Sequence, residues 1–274
     1  MKAVISSTYD NRYLYFIPIV TWCWNRLGVD VICFIPRLWK EDIKTEPRKS
    51  DYNKAVLVKR TMEELGMKFQ LEAFNCPSHK EATYAQCSRL YGCCLSLPED
   101  EVLIISDSDM ANFKVPPCIN YPITIYGSDL VPEGQFPMCY ASGTVKAWRE
   151  AFGINWYHKT YQFMLDELLG GIECENMRGN YWGKDQQTLW EKTKENTFLI
   201  PRARPNTQFA DNRVDRDDIN WRAYVNEDLV DAHLWRPGYT DENHANIMEL
   251  MRMKFPDEDF QWLIDYNHAY KQLL

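Results

Sequence analysis

Asp107-Ser108-Asp109 places two carboxylates one residue apart, directly after the apolar run Val102-Leu103-Ile104-Ile105-Ser106. That run has the branched, apolar composition of a buried strand. On an extended chain residues i and i+2 project to the same side, so Asp107 and Asp109 are expected to face one ligand while Ser108 faces elsewhere. Carboxylates held that close repel each other unless a cation joins them. Hard oxygen donors favour Mg2+ or Mn2+. A divalent ion at a strand end suits a diphosphate, because it binds the phosphate oxygens and offsets the charge that develops as the diphosphate leaves.

The surrounding pattern says what must position this pair. Residues 2–7, 29–35, 69–74 and 102–106 read as strands. Between them, 12–27 and 51–65 read as helices closed by Gly28 and Gly66, and Ser78 with Glu81 fits a capping box that starts a third helix. This alternation predicts an α/β chain with a Rossmann-like, mostly parallel central sheet flanked by helices. Ligands of such sheets sit beyond the carboxyl ends of the strands, which is where the two aspartates fall. In the second half, YPITIYGSDL, PMCYASGTV, TFLIP and LVDAHLW read as strands. KAWREAFG, 157–169, 183–195, 241–254 and 257–272 read as helices, and 201–222, rich in Arg, Asp, Asn and Pro, as a lid. With neither an internal repeat nor a linker, 1–274 is expected to form a single domain.

This order of elements, with a DxD about 100 residues into the chain, resembles the glycosyltransferases of the GT-A fold. The resemblance implies a DxD that binds Mn2+ or Mg2+ and the diphosphate of a nucleotide sugar, with Asp107, Ser108 and Asp109 in that role. It implies that Thr8 and Tyr9 in SSTYD receive the nucleotide base and ribose. Gln86 and Arg89, three apart on one helical face, fall where members of this family carry an arginine near the nucleotide. Asp185-Gln186 in GKDQQTLW is similar to the DQ element of the family-8-like, glycogenin-type enzymes, which lies by the transferred sugar. DAHLWRPG is similar to their late HxxGxxKPW element, which implies His233 as third metal ligand and Arg236 as the phosphate-binding cation. No glycine follows His233 at the family's position. Ala141-Ser142-Gly143 is expected as a small turn close to substrate, and Asp129 as a further group for sugar hydroxyls. Trp156, Tyr181, Trp182 and Trp221 fall on the expected acceptor side. Residues 1–113 then form the nucleotide-binding half, 114–240 the sugar and acceptor half, and 241–274 a pair of C-terminal helices.

The implied reaction moves a sugar from a nucleotide-diphosphate sugar, a UDP-sugar by preference, to a glycan or other hydroxyl acceptor. Asp185 or Asp129 would serve as base if configuration inverts. If it is retained, the leaving phosphate can take the proton. Two other chemistries fit less well. A phosphohydrolase using DxD as nucleophile and acid carries Thr or Val where Ala111 stands, and carries its motif on the first strand. A sugar nucleotidyltransferase carries a glycine-rich loop after strand one, and SSTYDNRY has no glycine.

Composition narrows the partners. A formal net charge of -8 argues against nucleic acid. Nine cysteines, an odd number without a CxxC pair, read as reduced thiols. No run of about 18 apolar residues is present to span a membrane, and no signal peptide precedes the first strand, so the expected location is cytoplasmic.

Overall fold

A computed structural model of the protein describes residues 1–39, 44, 48–116, 122–128, 131–155, 160–170, 183–200 and 213–274. The first half alternates as its apolar runs predict: β1 (Lys2–Ser6), α1 (Asn11–Leu14), α2 (Ile17–Arg26), β2 (Asp30–Pro36), α3 (Arg48–Glu64), β3 (Phe69–Phe74), α4 (Glu81–Ser88) and β4 (Val102–Ser106). The second half adds β5 (Met110–Asn112), β6 (Ile123–Tyr126), β7 (Tyr140–Thr144), α5 (Val145–Phe152), α6 (Tyr161–Leu169), α7 (Lys184–Thr193), β8 (Thr197–Ile200), β9 (Arg213–Val214), β10 (Asp231–His233), α8 (Asp241–Lys254) and α9 (Gln261–Lys271).

Among the described residues, seven strands form the central sheet in the order β3-β2-β1-β4-β7-β6-β8. β1 pairs in parallel with β2 and β4, β2 with β3, and β6 with β8; only β7 runs against its neighbours. β1, β2 and β4 carry near-continuous apolar runs because both their faces are covered, while β3 at the sheet edge alternates polar and apolar residues. Ala3, Ile5, Val31, Cys33 and Ile104 pack with α2, α3, α8 and α9 on one side. Val4, Ile32, Phe34, Leu103 and Ile105 pack with α4, α5, α6 and α7 on the other. The register sets the carboxyl end of β4 beside that of β1, with Val4 opposite Ile105.

Local chemistry explains where the elements depart from expectation. The helix expected over 12–27 is two helices, because Pro18 has no N–H to give and its ring would meet the carbonyl of Leu14; the chain restarts with Pro18 in the first turn of α2. The capping box does not form. Ser78–Lys80 is a 3-10 turn, and the Glu81 carboxylate instead accepts from Tyr9 N at 3.3 Å and from Arg48 at 2.9 Å. Ala141, Ser142 and Gly143 lie within β7 rather than in a substrate-facing turn. A Cβ on Gly143 would lie 2.6 Å from the Pro122 carbonyl oxygen, so the glycine serves the close approach of the chain beside β6.

The last predicted strand shrinks to the three residues of β10, and two short partners join it. β10 pairs antiparallel with β5 and parallel with β9 in a second, three-stranded sheet that the sequence pattern did not reveal. Cys23, Cys33, Cys76, Cys87, Cys93, Cys94 and Cys139 are free thiols; Cys118 and Cys174 lie outside the described residues. Among the described residues no helix is long and apolar enough to cross a membrane.

Candidate metal centre

β4 ends at Ser106, and 107–109 form a tight turn into β5 rather than an extended continuation. The two aspartates still converge, for a different reason from simple alternation. β5 is held by β10, with Met110 opposite His233, and Leu234 N donates to the Asp109 carbonyl at 2.9 Å. The ligand atoms of Asp107, Asp109 and His233 consequently lie within 4.8 Å of one another. Two carboxylates and an imidazole are a donor set suited to a divalent ion such as Mn2+ or Mg2+. The loss of the glycine after His233 does not prevent the histidine from reaching the aspartates.

Arg89 organises the inner side of the cluster. Its Nη1 donates to Asp107 Oδ1 at 2.5 Å and to the Ser106 carbonyl at 2.9 Å, and its Nη2 donates to Asp185 Oδ2 at 2.9 Å. Both Arg89 and Asp185 are buried. Asp185 sits in the first turn of α7 and also accepts from Gln186 N at 2.9 Å. Burial raises the Asp185 pKa against the pull of Arg89. Burial also opposes charge on Asp107, but Arg89 and His233 outweigh it and hold that carboxyl below the usual range. Asp109 is raised, chiefly by burial and then by Asp107, against His233 and Arg236.

The outer side carries two more cations. Arg216 Nη1 donates to Asp109 Oδ2 at 3.0 Å, and Arg236 Nε lies 3.3 Å from the same oxygen. Arg236 also donates to the Tyr13 hydroxyl and stacks over that ring at 5.0 Å. Arg213 forms a bidentate pair with Asp231, at 2.5 and 3.2 Å, and its charge still reaches the cluster, where it acts to lower the pKa of Asp107 and of His233. His233 Nδ1 lies 3.4 Å from Asp215 Oδ1. Burial lowers the His233 pKa, but the Asp215 contact and the two aspartates more than offset it, so the net shift is upward.

The structure therefore brings Asp107, Asp109, His233, Arg236, Arg89 and Asp185 together. Gln86 is half-buried one helical turn before Arg89, and its carbonyl accepts from Arg89 Nε at 3.3 Å. Gln186 is half-buried, with its carbonyl bonded to Phe136 N at 3.2 Å. Ser108 is buried in the turn. Thr8 Oγ1 accepts from Asp10 N at 3.2 Å. Tyr9 is placed differently from a stacking platform: its ring belongs to the core and its hydroxyl donates to the Pro36 carbonyl at 2.5 Å. Trp221 packs on Trp235 at 4.8 Å in the core instead of facing an acceptor. Asp129, Trp156, Tyr181, Trp182 and 201–212 of the expected lid lie outside the described residues.

No protein-family model matches the chain, and no curated protein matches it in sequence. Solved structures do match in shape. The galactosyltransferase LgtC, crystallised with donor and acceptor sugar analogs, aligns over 97% of this chain and 100% of its own, with TM-score 0.51 and 9% identity. The chain has the GT-A fold. The glycosyltransferase GlyE of Streptococcus pneumoniae aligns over 99% of this chain at TM-score 0.50 and 10% identity, and the chain spans 64% of GlyE's length.

Asp215, Arg216 and Tyr13 were not singled out from sequence. A signal for Asp215 existed: Arg213-Val214-Asp215 alternates polar, apolar, polar, and Val214 is fully buried. The Asp215 contact fixes the ring orientation of His233, as carboxylates commonly do behind metal-bound imidazoles. Asp215→Asn is expected to weaken Mn2+ affinity by about tenfold, read by electron paramagnetic resonance titration of free Mn2+. Unchanged affinity would remove Asp215 from that role.

Proposed function

We propose that this protein is a metal-dependent glycosyltransferase that moves a sugar from a nucleotide-diphosphate sugar, a UDP-sugar by preference, to a glycan or other hydroxyl acceptor. The observation that carries the reading is the convergence of Asp107, Asp109 and His233 beyond the carboxyl end of β4 in a GT-A fold. That end of the sheet is where ligands of open α/β folds bind.

In this reading Asp107, Asp109 and His233 hold the divalent ion, with Mn2+ or Mg2+ as its identity. When bound, the ion supplies a Lewis-acid contact to the diphosphate oxygens. Arg236, on the outer side and partly exposed, donates to a phosphate oxygen and shares the charge of the leaving nucleoside diphosphate. Thr8 lines the nucleoside side at the end of β1, and the 1–113 half supplies most of that pocket. Arg89 holds Asp107 and Asp185 in fixed positions, so Asp185 and Gln186 present a rigid edge to the sugar from the 114–240 half. Asp129 is assigned to sugar hydroxyls. α8 and α9, the 241–274 segment, back the nucleotide side through their packing with α2 and α3.

The test is a panel of UDP- and GDP-sugars incubated with the protein in Mn2+, in Mg2+ and in chelator, following release of the nucleoside diphosphate and formation of glycosylated product. Metal-dependent turnover of one donor is expected. No turnover and no metal-dependent nucleotide binding across the panel would overturn the proposal.

A further inference from the structure

Resting on the proposed function, we propose that Arg216 makes cation binding at the Asp107–Asp109–His233 cluster conditional on a diphosphate, so that neither ligand binds tightly without the other. Arg216 and Arg236 approach one and the same oxygen, Asp109 Oδ2, at 3.0 and 3.3 Å. One buried carboxylate does not need two guanidinium groups. Among the described residues, the other arginines at the cluster have partners other than Asp109: Arg89 bonds Asp107, Asp185 and the Ser106 carbonyl, and Arg213 bonds Asp231.

Charge balance gives the surplus a consequence. Among the described residues, the four carboxylates of Asp107, Asp109, Asp185 and Asp215 are set against the three guanidinium groups of Arg89, Arg216 and Arg236, so the ion-paired cluster is within one charge of neutral before any ligand arrives. A divalent ion bound by the two aspartates adds two positive charges beside Arg216, in a partly desolvated place where like charges repel more strongly than in water. A diphosphate reverses that excess, and its oxygens can bridge the ion and the guanidinium. Arg216 therefore opposes the cation alone and favours the pair. It differs in this from Arg236, whose guanidinium is also held by the ring and hydroxyl of Tyr13. Arg216 lies in the turn that follows β9 and is more exposed than Asp109, 18% against 6%. That position lets it follow a phosphate without moving the sheet.

The experiment measures Mn2+ affinity with and without UDP, by calorimetry and free-Mn2+ resonance, for the wild type, Arg216→Gln, Arg216→Lys and Arg222→Gln. Arg222 pairs with Glu249 through a largely exposed side chain and controls for loss of one positive charge. Arg216→Gln is expected to bind Mn2+ alone about fivefold tighter and to lose about fivefold or more of the mutual enhancement between Mn2+ and UDP. Arg216→Lys should keep most of that enhancement, and Arg222→Gln should match the wild type. If Arg216→Gln binds Mn2+ alone no more tightly than wild type, or if Arg222→Gln shows the same change, the inference fails while the transferase reading stands. A wild type that shows no metal-dependent UDP binding overturns both.

Discussion

Asp109→Ala is expected to lower UDP affinity in the presence of Mn2+ by at least about a hundredfold, a larger loss than outer-shell changes at metal sites produce, while leaving the fold intact. The two halves of this expectation have one cause. Asp109 is almost fully buried at the end of a tight turn, and burial raises its pKa. For an acid whose folded pKa lies above its unfolded value, the charged form is disfavoured by folding. The penalty is complete above the folded pKa and vanishes as pH falls below the unfolded value near 3.8. Removing the carboxylate therefore relieves a cost at neutral pH, and the Arg216 and Arg236 side chains it leaves, 18% and 30% exposed, can turn to water. A stability change within about 1 kcal/mol is expected in chelator, read as a urea midpoint at pH 7.5. A variant that binds UDP and Mn2+ like the wild type would take Asp109 out of the metal centre. A variant that unfolds would make the aspartate structural.

The central sheet was legible because its strands follow strong local rules. Phe69–Phe74, which alternates, and Val102–Ser106, an apolar run, have the bounds that their patterns predict. The aspartate pair was legible for the same reason, since it ends the most apolar of those runs. The second sheet was not. Strands of two or three residues carry too little periodicity to stand out, and the second sheet exists because β10 meets β5 about 120 positions away as well as β9, 18 positions before it. Arg216 lies 107 residues from Asp109, and nothing local in Arg216-Asp217-Asp218 points to that contact. His233 was reachable only through the resemblance of a late His-Arg-Pro-Gly region. Tyr9 misled because a tyrosine at a strand end serves equally well as a core residue, and here its hydroxyl finds the Pro36 carbonyl.

Arg89→Met carries the largest expected cost to stability. Methionine approximates the volume of arginine and fits the same buried passage, so the loss is of charge and hydrogen bonds rather than of packing. Three acceptors lose their donor at once: Asp107, Asp185 and the carbonyl of Ser106. Breaking a buried pair from one side typically costs about 3–5 kcal/mol, because the partner charge stays buried without compensation. The sign of its pH dependence follows. In the wild type, Asp107 is held below its unfolded pKa, so its contribution is present above about 3.8 and is lost as pH falls through the lower folded value. Without Arg89, burial dominates for Asp107 as it already does for Asp185, both folded values rise, and the penalty lessens as pH falls and the carboxyls protonate. The gap in urea midpoint between wild type and Arg89→Met, measured in chelator, should therefore be widest at pH 7.5 and narrower at pH 5. Adding Asp185→Asn to Arg89→Met removes one of the stranded charges, so the double variant should be more stable than Arg89→Met alone. That ordering separates a charge-compensating arginine from one that only fills space, because a space-filling role would leave the second substitution neutral or harmful. The same pair bears on the chemistry. If Asp185 meets the sugar only because Arg89 holds it there, Asp185→Asn and Arg89→Met should depress donor turnover to a similar extent, and their combination should cost little more than either.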